Sequence, residues 1–304
     1  MSWAFDYYGG GENVMADLSI VSSPEERIHR RTAPTVSLIV PAKNEANNLR
    51  QLLPQLPKVH EVILVDGASV DGTVDAARSL MPDIRVVRQT RKGKGNALAC
   101  GFAAATGDIL VMFDADGSAD PAEISRFVTA LTGGADFAKG SRFVAGGGSQ
   151  DITRIRRWGN SWLHLVANAA FGTRFSDLCY GYNAFWRDLV PILDLPAIDS
   201  DAPGSRMIWG DGFEIETVIN CRMAAAKVRI AEVPSIELRR MFGESNLRTF
   251  ADGTRVLRTI LAERKRARAL TRSRARNAAT RERPSSRPDM DVVFNGTHGL
   301  EETA

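Results

Sequence analysis

The sequence is short of the groups that make disulfides and zinc sites. Its three cysteines, Cys100, Cys179 and Cys221, are widely spaced and odd in number. They form neither a disulfide framework nor a CxxC pair, which points to a reducing compartment. The four histidines, His29, His60, His164 and His298, are scattered, with no HExxH or Cys/His grouping, so a catalytic zinc is not expected. No GxSxG or Ser/His/Asp arrangement is visible. No apolar run reaches the ~20 residues of a membrane span. The N-terminus lacks the basic start and apolar centre of a signal peptide. These absences predict a cytoplasmic protein that meets a membrane, if it does, peripherally on the inner face. The formal charge of +3 is unevenly spread, with much of the basic excess in "RTILAERKRARALTRSRARNAATRER". Aromatics are not interleaved there and no reader motif occurs, so nucleic acid is not an expected partner.

What is present is an alternation of strand-like and helix-like segments. Val36–Val40, Glu61–Val65, Ile84–Val87 and Ile109–Phe113 are short apolar, β-branched runs, as expected of strands covered on both faces. Between them lie "NEANNLRQLL", "DGTVDAARSLM" and "GNALACGFAAAT", which read as helices. This order predicts an α/β fold with a Rossmann-like, mostly parallel central sheet and helices on both faces. A further helix follows with Asp120 as its N-cap and Pro121 at its first position. "ADFAKGSRF", "GYNAFWR" and "KVRIAEVP" read as later strands, "GGGSQDITRIRRW" as a loop, and "GNSWLHLVANAAFG" and "DGFEIETVINCRMAAA" as helices. Residues 1–34 are expected to be a flexible extension. Residues 35–145 and 146–271 are expected to be two halves of one domain ending in a basic helix, and 272–304 a disordered tail.

The ends of the first four strands carry the polar residues, where ligands bind in such sheets. "VPAKNEANN" brings Pro41, Ala42, Asn44 and Glu45 to a helix start. "VDGASVDGT" places Asp66 at the end of the second strand. "RKGKGNALACGF" sets Lys94 between glycines that let backbone approach a ligand. "ILVMFDADGSADP" ends the fourth strand in Asp114 and Asp116, two carboxylates suited to a hard divalent cation that bridges phosphate oxygens. Any one of these could be a routine turn; four in succession suit a nucleotide.

These motifs, VPAKNE, DGASVDGT, GKGNALACG and FDADGSADP, in this order and spacing, resemble glycosyltransferase family 2. The later GSRF, DLCYGYNAFWR, GFEIET, AEVP and GESNL are similar to its dolichyl- or polyprenyl-phosphate sugar synthase branch. The resemblance runs from about Thr35 to Leu261. It implies a GT-A fold and inverting transfer from a nucleotide diphosphate sugar with Mg2+ or Mn2+. By position it implies that Pro41, Ala42, Asn44 and Glu45 line the nucleoside pocket, that Asp66 holds the base, and that Lys94 lies near the nucleotide. It implies that Asp114 touches the ribose or diphosphate and that Asp114 and Asp116 hold the metal. The family usually has two adjacent acids in the second motif. Gly67 follows Asp66 here, which leaves UDP- and GDP-sugars both open.

In the same branch the nucleophile is a phosphate oxygen of a polyprenyl phosphate. A phosphate monoester is largely ionised at neutral pH and needs cations rather than a general base. Arg142 in GSRF and Arg157 in "RIRRW" are the expected holders, since Arg offers bidentate donors to phosphate; Arg154 and Arg156 stand beside them. Arg240, Ser245 and Asn246, in "RRMFGESNL", are expected at the leaving diphosphate. If the acceptor were instead a hydroxyl of a soluble metabolite or glycan, a carboxylate base would be required. Of Asp211, Glu214 and Glu216, Glu216 matches the family's acid. "TRVLRTILAERKRAR" and "WGNSWLHLVANAAFG" are alternative membrane-facing surfaces or packed helices. A nucleotidyltransferase would want a glycine-rich loop after the first strand, which "VPAKNEANN" lacks. A nucleotide-sugar-binding protein without turnover would lack the acceptor arginines or the metal acid.

Overall fold

The structure is a computed structural model that describes residues 33–199, 207–243 and 249–281. Nine strands occur among them: β1 (Val36–Ala42), β2 (Glu61–Asp66), β3 (Arg85–Arg88), β4 (Ile109–Met112), β5 (Phe137–Ser141), β6 (Gly148–Ser149), β7 (Asn183–Trp186), β8 (Ile230–Pro234) and β9 (Ile236–Glu237). The helices are α1 (Ala46–Leu52), α2 (Thr73–Leu80), α3 (Lys94–Ala104), α4 (Ile124–Thr132), α5 (Arg154–Phe171), α6 (Ile215–Ala225) and α7 (Thr249–Arg281). By its contacts the chain divides at Ala267, and the described part of the second unit is the last stretch of α7.

Seven strands form one sheet in the order β3-β2-β1-β4-β7-β5-β8, and β6 pairs with β9 beside it. β1, β2, β3 and β4 run parallel, while β7 is antiparallel to both its neighbours. The chain moves outward from β1 to β3 and then returns to place β4 on the other side of β1. That reversal of direction opens a crevice at the carboxyl ends of β1 and β4, the position where open α/β sheets bind ligands. Asp114 and Asp116 lie there because the central strands must be apolar throughout, and polar residues can start only where cover by helices ends. All four residues of β4 are buried.

The main core joins these strands to α1, α3 and α4, with Phe102, Phe113, Phe127, Phe137 and Phe185 among its largest side chains. A second, smaller core joins Leu163 and Ala167 of α5, Cys221 and Ala224 of α6, and Ile260 of α7. Two expectations change here. "RIRRW" is not loop: it forms the first turns of α5, because no glycine or proline interrupts it and Ile155, Trp158 and Trp162 recur at helical spacing. Residues 272–281, expected in the tail, continue α7; from 282 the chain lies outside the described residues.

Glu61 at the start of β2 fastens the amino-terminal edge of the sheet. Its carboxylate accepts from Ser37 Oγ at 2.6 Å and from the backbone N and Oγ1 of Thr106, each at 2.7 Å. Partial burial pushes this carboxyl up, but the hydrogen bonds from Ser37 and Thr106 outweigh it and bring it down to about 2. A depressed folded-state value contributes stability above the unfolded value, and that stability is lost as pH falls through the folded one. Glu61→Gln should therefore cost about 1–3 kcal/mol at pH 7 and flatten the acid limb between about pH 4.5 and 2, read by urea denaturation across pH.

Candidate active site

The crevice opens into a cavity of about 620 Å³, lined from one side by Pro41, Ala42, Lys43 and Glu45 and from the other by Arg142, Asn160 and Glu216. At its floor an ammonium sits between two carboxylates. Lys94 Nζ lies 2.7 and 2.9 Å from Asp114 Oδ1 and Oδ2, and 2.7 Å from Glu216 Oε1. Asp114 comes from the end of β4, Lys94 from the first turn of α3 and Glu216 from the first turn of α6. Burial pushes the Asp114 carboxyl up, reinforced by Asp116 and Glu216, although Lys94 opposes this. Burial would push Lys94 down, but Asp114 and Glu216 hold it well above its ordinary value. Gly181 makes this packing possible: a Cβ there would lie 3.3 Å from Glu216 Oε1 and from Lys94 Nζ.

Asp116 is held separately. Its Oδ1 accepts from Ser118 N at 3.0 Å, and Arg240 donates to its Oδ2 at 3.1 and 3.3 Å. Although burial opposes it, the Ser118 hydrogen bonds and the Arg240 charge keep this carboxyl below the usual range. Arg240 also lies 3.7 Å from Glu45 Oε1, so it spans the β1 and β4 strand ends. Burial pushes the Glu45 carboxyl up, while its hydrogen bond from Asn48 and the nearby Arg240 oppose that shift.

The aspartate pair fits a hard divalent cation. Two carboxylates facing one cavity are the preferred oxygen donors of Mg2+ or Mn2+. Both are balanced by side-chain cations, and a buried carboxylate with a raised value gains from any added positive charge. Among the described residues no three His, Cys, Asp or Glu side chains converge as a self-sufficient metal cage. A diphosphate would have to supply the remaining oxygens.

Several predicted residues stand elsewhere than expected. Asn44 is not in the cavity. It adopts φ +58° and bridges the β1 and β2 loops, its N donating to Ser69 Oγ and its Oδ1 accepting from Val70 N, both at 2.9 Å. Asp66 borders a separate depression with Val70, Val86 and Arg88, and its carboxylate accepts from Ser69 N at 3.2 Å. Arg142 reaches the cavity but is not a free phosphate clamp. It makes a two-pronged pair with Asp177 at 2.7 and 3.0 Å and a second pair with Glu237 at 3.0 Å. Its guanidinium is thus already engaged by two carboxylates, with the buried Lys139 facing the same Asp177. Arg157 is exposed on α5, its guanidinium 5.4 Å from the Phe143 ring centroid. The side chains of Arg154 and Arg156 are outside the described residues, as are Ser245 and Asn246. The glycines flanking Lys94 serve protein rather than ligand: a Cβ on Gly95 would lie 1.8 Å from the Gly210 carbonyl oxygen.

Asp211 and Glu214, weighed as bases, have structural work. Asp211 clamps Arg91 at 2.8 and 2.9 Å, and Glu214 accepts from the backbone N of Gly210 and Gly212, each at 3.1 Å. On α7, Ile260 is fully buried and Val256 and Leu257 pack on the second core, so that apolar face is used by the protein. On α5, Leu163 is buried, but Trp158, Trp162 and Leu165 are exposed. No described helix is long and apolar enough to cross a membrane. The sequence reading missed Lys43, Gln89, Lys92, Asn160 and Tyr180, which line the cavity from loops and helix faces. Lys43 and Tyr180 lie within VPAKNE and DLCYGYNAFWR and Lys92 stands beside "GKG", but nothing local marks Gln89 or Asn160.

Comparison with known proteins agrees with this arrangement. The family model described as glycosyl transferase family 2 matches residues 37–191. An undecaprenyl-phosphate mannosyltransferase of Micrococcus luteus is 33% identical over 70% of this chain and 87% of its own length. A polyprenol monophosphomannose synthase of Mycolicibacterium smegmatis is 36% identical over 54% of this chain and 66% of its own. Among solved structures, glucosyl-3-phosphoglycerate synthase of Mycobacterium tuberculosis with Mn2+, UDP and phosphoglyceric acid superposes with a TM-score of 0.60. It is 21% identical and the match covers 79% of this chain and 82% of that one. The fold is therefore of the GT-A type. The chain belongs to glycosyl transferase family 2 and is a glycosyltransferase.

Replacing Lys94 with Met should leave Asp114 and Glu216 facing each other without a cation. The expected loss is about 3 kcal/mol at pH 7. The Asp114 carboxyl, already pushed up by burial, would lose the cation that opposes that shift and bind its proton above its unfolded value, so the variant's deficit should shrink between pH 7 and 5. Denaturant melts at the two pH values test this; an equal deficit at both would contradict it.

Proposed function

We propose that the enzyme transfers a sugar, with inversion, from a nucleotide diphosphate sugar to a polyprenyl phosphate in a metal-dependent reaction. The observation that carries the reading is the pair Asp114 and Asp116 at the switch point of the sheet, in a cavity large enough for a nucleotide sugar. The relatives named as undecaprenyl-phosphate and polyprenol-phosphate mannose enzymes supply the acceptor class. The neighbouring structures crystallised with UDP and Mn2+ or Mg2+ support a divalent metal; the donor is read as a UDP- or GDP-sugar.

Asp114 and Asp116 would hold Mg2+ or Mn2+, which neutralises charge on the departing diphosphate. Arg240, already on Asp116, is placed to share that charge as the bond to the anomeric carbon breaks. The acceptor phosphate, ionised at neutral pH, attacks without a base. This agrees with Glu216, whose carboxylate is engaged by Lys94 rather than open to a hydroxyl. Arg157 on α5 would orient the acceptor phosphate, and Arg142 would support it by fixing the 177 and 237 loops. Pro41, Ala42 and Glu45, which line the cavity, would hold the nucleoside. The exposed Trp158, Trp162 and Leu165 give the acceptor side an apolar face that suits peripheral contact with a membrane surface.

The direct test is transfer of labelled sugar from GDP-mannose or UDP-glucose to a short-chain polyprenyl phosphate. Label in the lipid product supports the proposal; label only in water-soluble product would replace it with transfer to a soluble hydroxyl. Asp116→Asn should lower the rate at least 100-fold with melting temperature retained, since a charge placed for the leaving group is removed. Arg157→Ala should raise KM for the polyprenyl phosphate about tenfold or more and leave donor KM unchanged.

A further inference from the structure

Among the described residues, buried polar atoms without a hydrogen-bond partner occur in four side chains: Asn160, His164, Asn183 and Asn220. In Asn183 and Asn220 only Oδ1 is left over, and Nδ2 bonds to backbone carbonyls of Tyr180, Gly181 or Leu178. Asn160 is different. It is 5% exposed, both Nδ2 and Oδ1 lack a partner, and it lines the large cavity. A buried amide with neither end satisfied is costly, so such a group is retained where something else completes it.

The surroundings say where that something lies. Asn160 and Leu163 share a face of α5. Leu163 packs in the second core with Cys221 of α6 and Ile260 of α7. Thr217, one turn before Cys221 and next to Glu216, lines the same cavity, as does Gly253 of α7. Asn160 thus stands on the wall that adjoins Glu216, beyond the Asp114–Lys94 floor.

We infer that the Asn160 carboxamide binds hydroxyl groups of the sugar being transferred. This rests on the reading of the cavity as a nucleotide-sugar site. Thr217 and Asn160 line the same cavity as Asp114 and Asp116, so a nucleotide sugar whose diphosphate is held at the aspartates shares that cavity with the Asn160 amide. The chemistry selects the hydroxyls. An amide needs an acceptor for Nδ2 and a donor for Oδ1 at the same time, and a pair of sugar hydroxyls offers both. A phosphate dianion offers acceptors only and would leave Oδ1 unpaired. Water fills the role in the free enzyme, since the site is polar and open. Asn160 is then a residue that senses the donor's sugar rather than its nucleotide, and sets discrimination between hexoses that differ at one hydroxyl.

The test needs no lipid acceptor. Calorimetric affinities with Mn2+ are compared for GDP-mannose against GDP and for UDP-glucose against UDP, in wild type, Asn160→Ala and Asn160→Asp. In Asn160→Ala the nucleotide sugar that wild type binds should weaken about tenfold while its free diphosphate binds unchanged. Asn160→Asp should keep part of the affinity for the nucleotide sugar, because a carboxylate still accepts from one hydroxyl though it cannot donate to the other, and it guards against a packing loss in the alanine variant. Unchanged nucleotide-sugar affinity in Asn160→Ala overturns the assignment, the amide then meeting water alone. If that variant instead raises KM only for polyprenyl phosphate, and Asn160→Asp is worse than alanine, the amide serves the acceptor phosphate and the sugar assignment is wrong. Wild type binding neither nucleotide sugar nor diphosphate would overturn the underlying site reading first, and this inference with it.

Discussion

The Lys94 ammonium between Asp114 and Glu216 is the constraint on which the site depends. Three separate pieces of chain meet there: the end of β4, the start of α3 and the start of α6. Two carboxylates this close repel each other, and a cation between them lets both stay ionised. The floor in turn needs Gly181, whose missing side chain lets the 179–182 segment pass directly over the cluster. The α3 turn needs Gly93 and Gly95, which let the 210–211 backbone come within hydrogen-bond distance, Gly95 N to Asp211 O at 2.7 Å. One cation thereby ties the β4 and α3 side of the cavity to the α6 side.

Around that floor further acids are paired with cations: Asp116 with Arg240, Asp177 and Glu237 with Arg142, and Asp211 with Arg91. Such pairs contribute modestly to net stability, but removing one partner is costly. Their effect is to hold charged groups at fixed positions before a ligand enters, which is what stabilising a leaving diphosphate requires. An anionic donor and an anionic acceptor can approach one another only in a cavity whose own charges are already arranged.

The sheet was legible in the sequence because its central strands are continuous apolar runs, and their ends were legible because Asp114 and Asp116 interrupt one abruptly. Asp120 capping the turn at Pro121 was legible too, and Ala122 N does donate to it. What the sequence could not disclose is pairing across long separations. Arg142 reads as a phosphate ligand until Asp177 and Glu237 are seen to hold it. Asn44 reads as a pocket residue until its side chain is found joining two loops. Asn160 carries no motif, and its unsatisfied amide exists only once α5, α6 and α7 are packed. "RIRRW" read as loop because arginines hide the helical spacing of Ile155, Trp158 and Trp162.

The account's central claim is that the aspartates at the β4 end bind a nucleotide diphosphate through a divalent cation. Calorimetric titration of GDP and of UDP into the protein, with Mn2+ and then with chelator, tests it most directly. The account predicts binding of one of the two with Mn2+ and a loss of at least tenfold in affinity on chelation. Equal affinity with and without the metal would contradict the role given to Asp114 and Asp116.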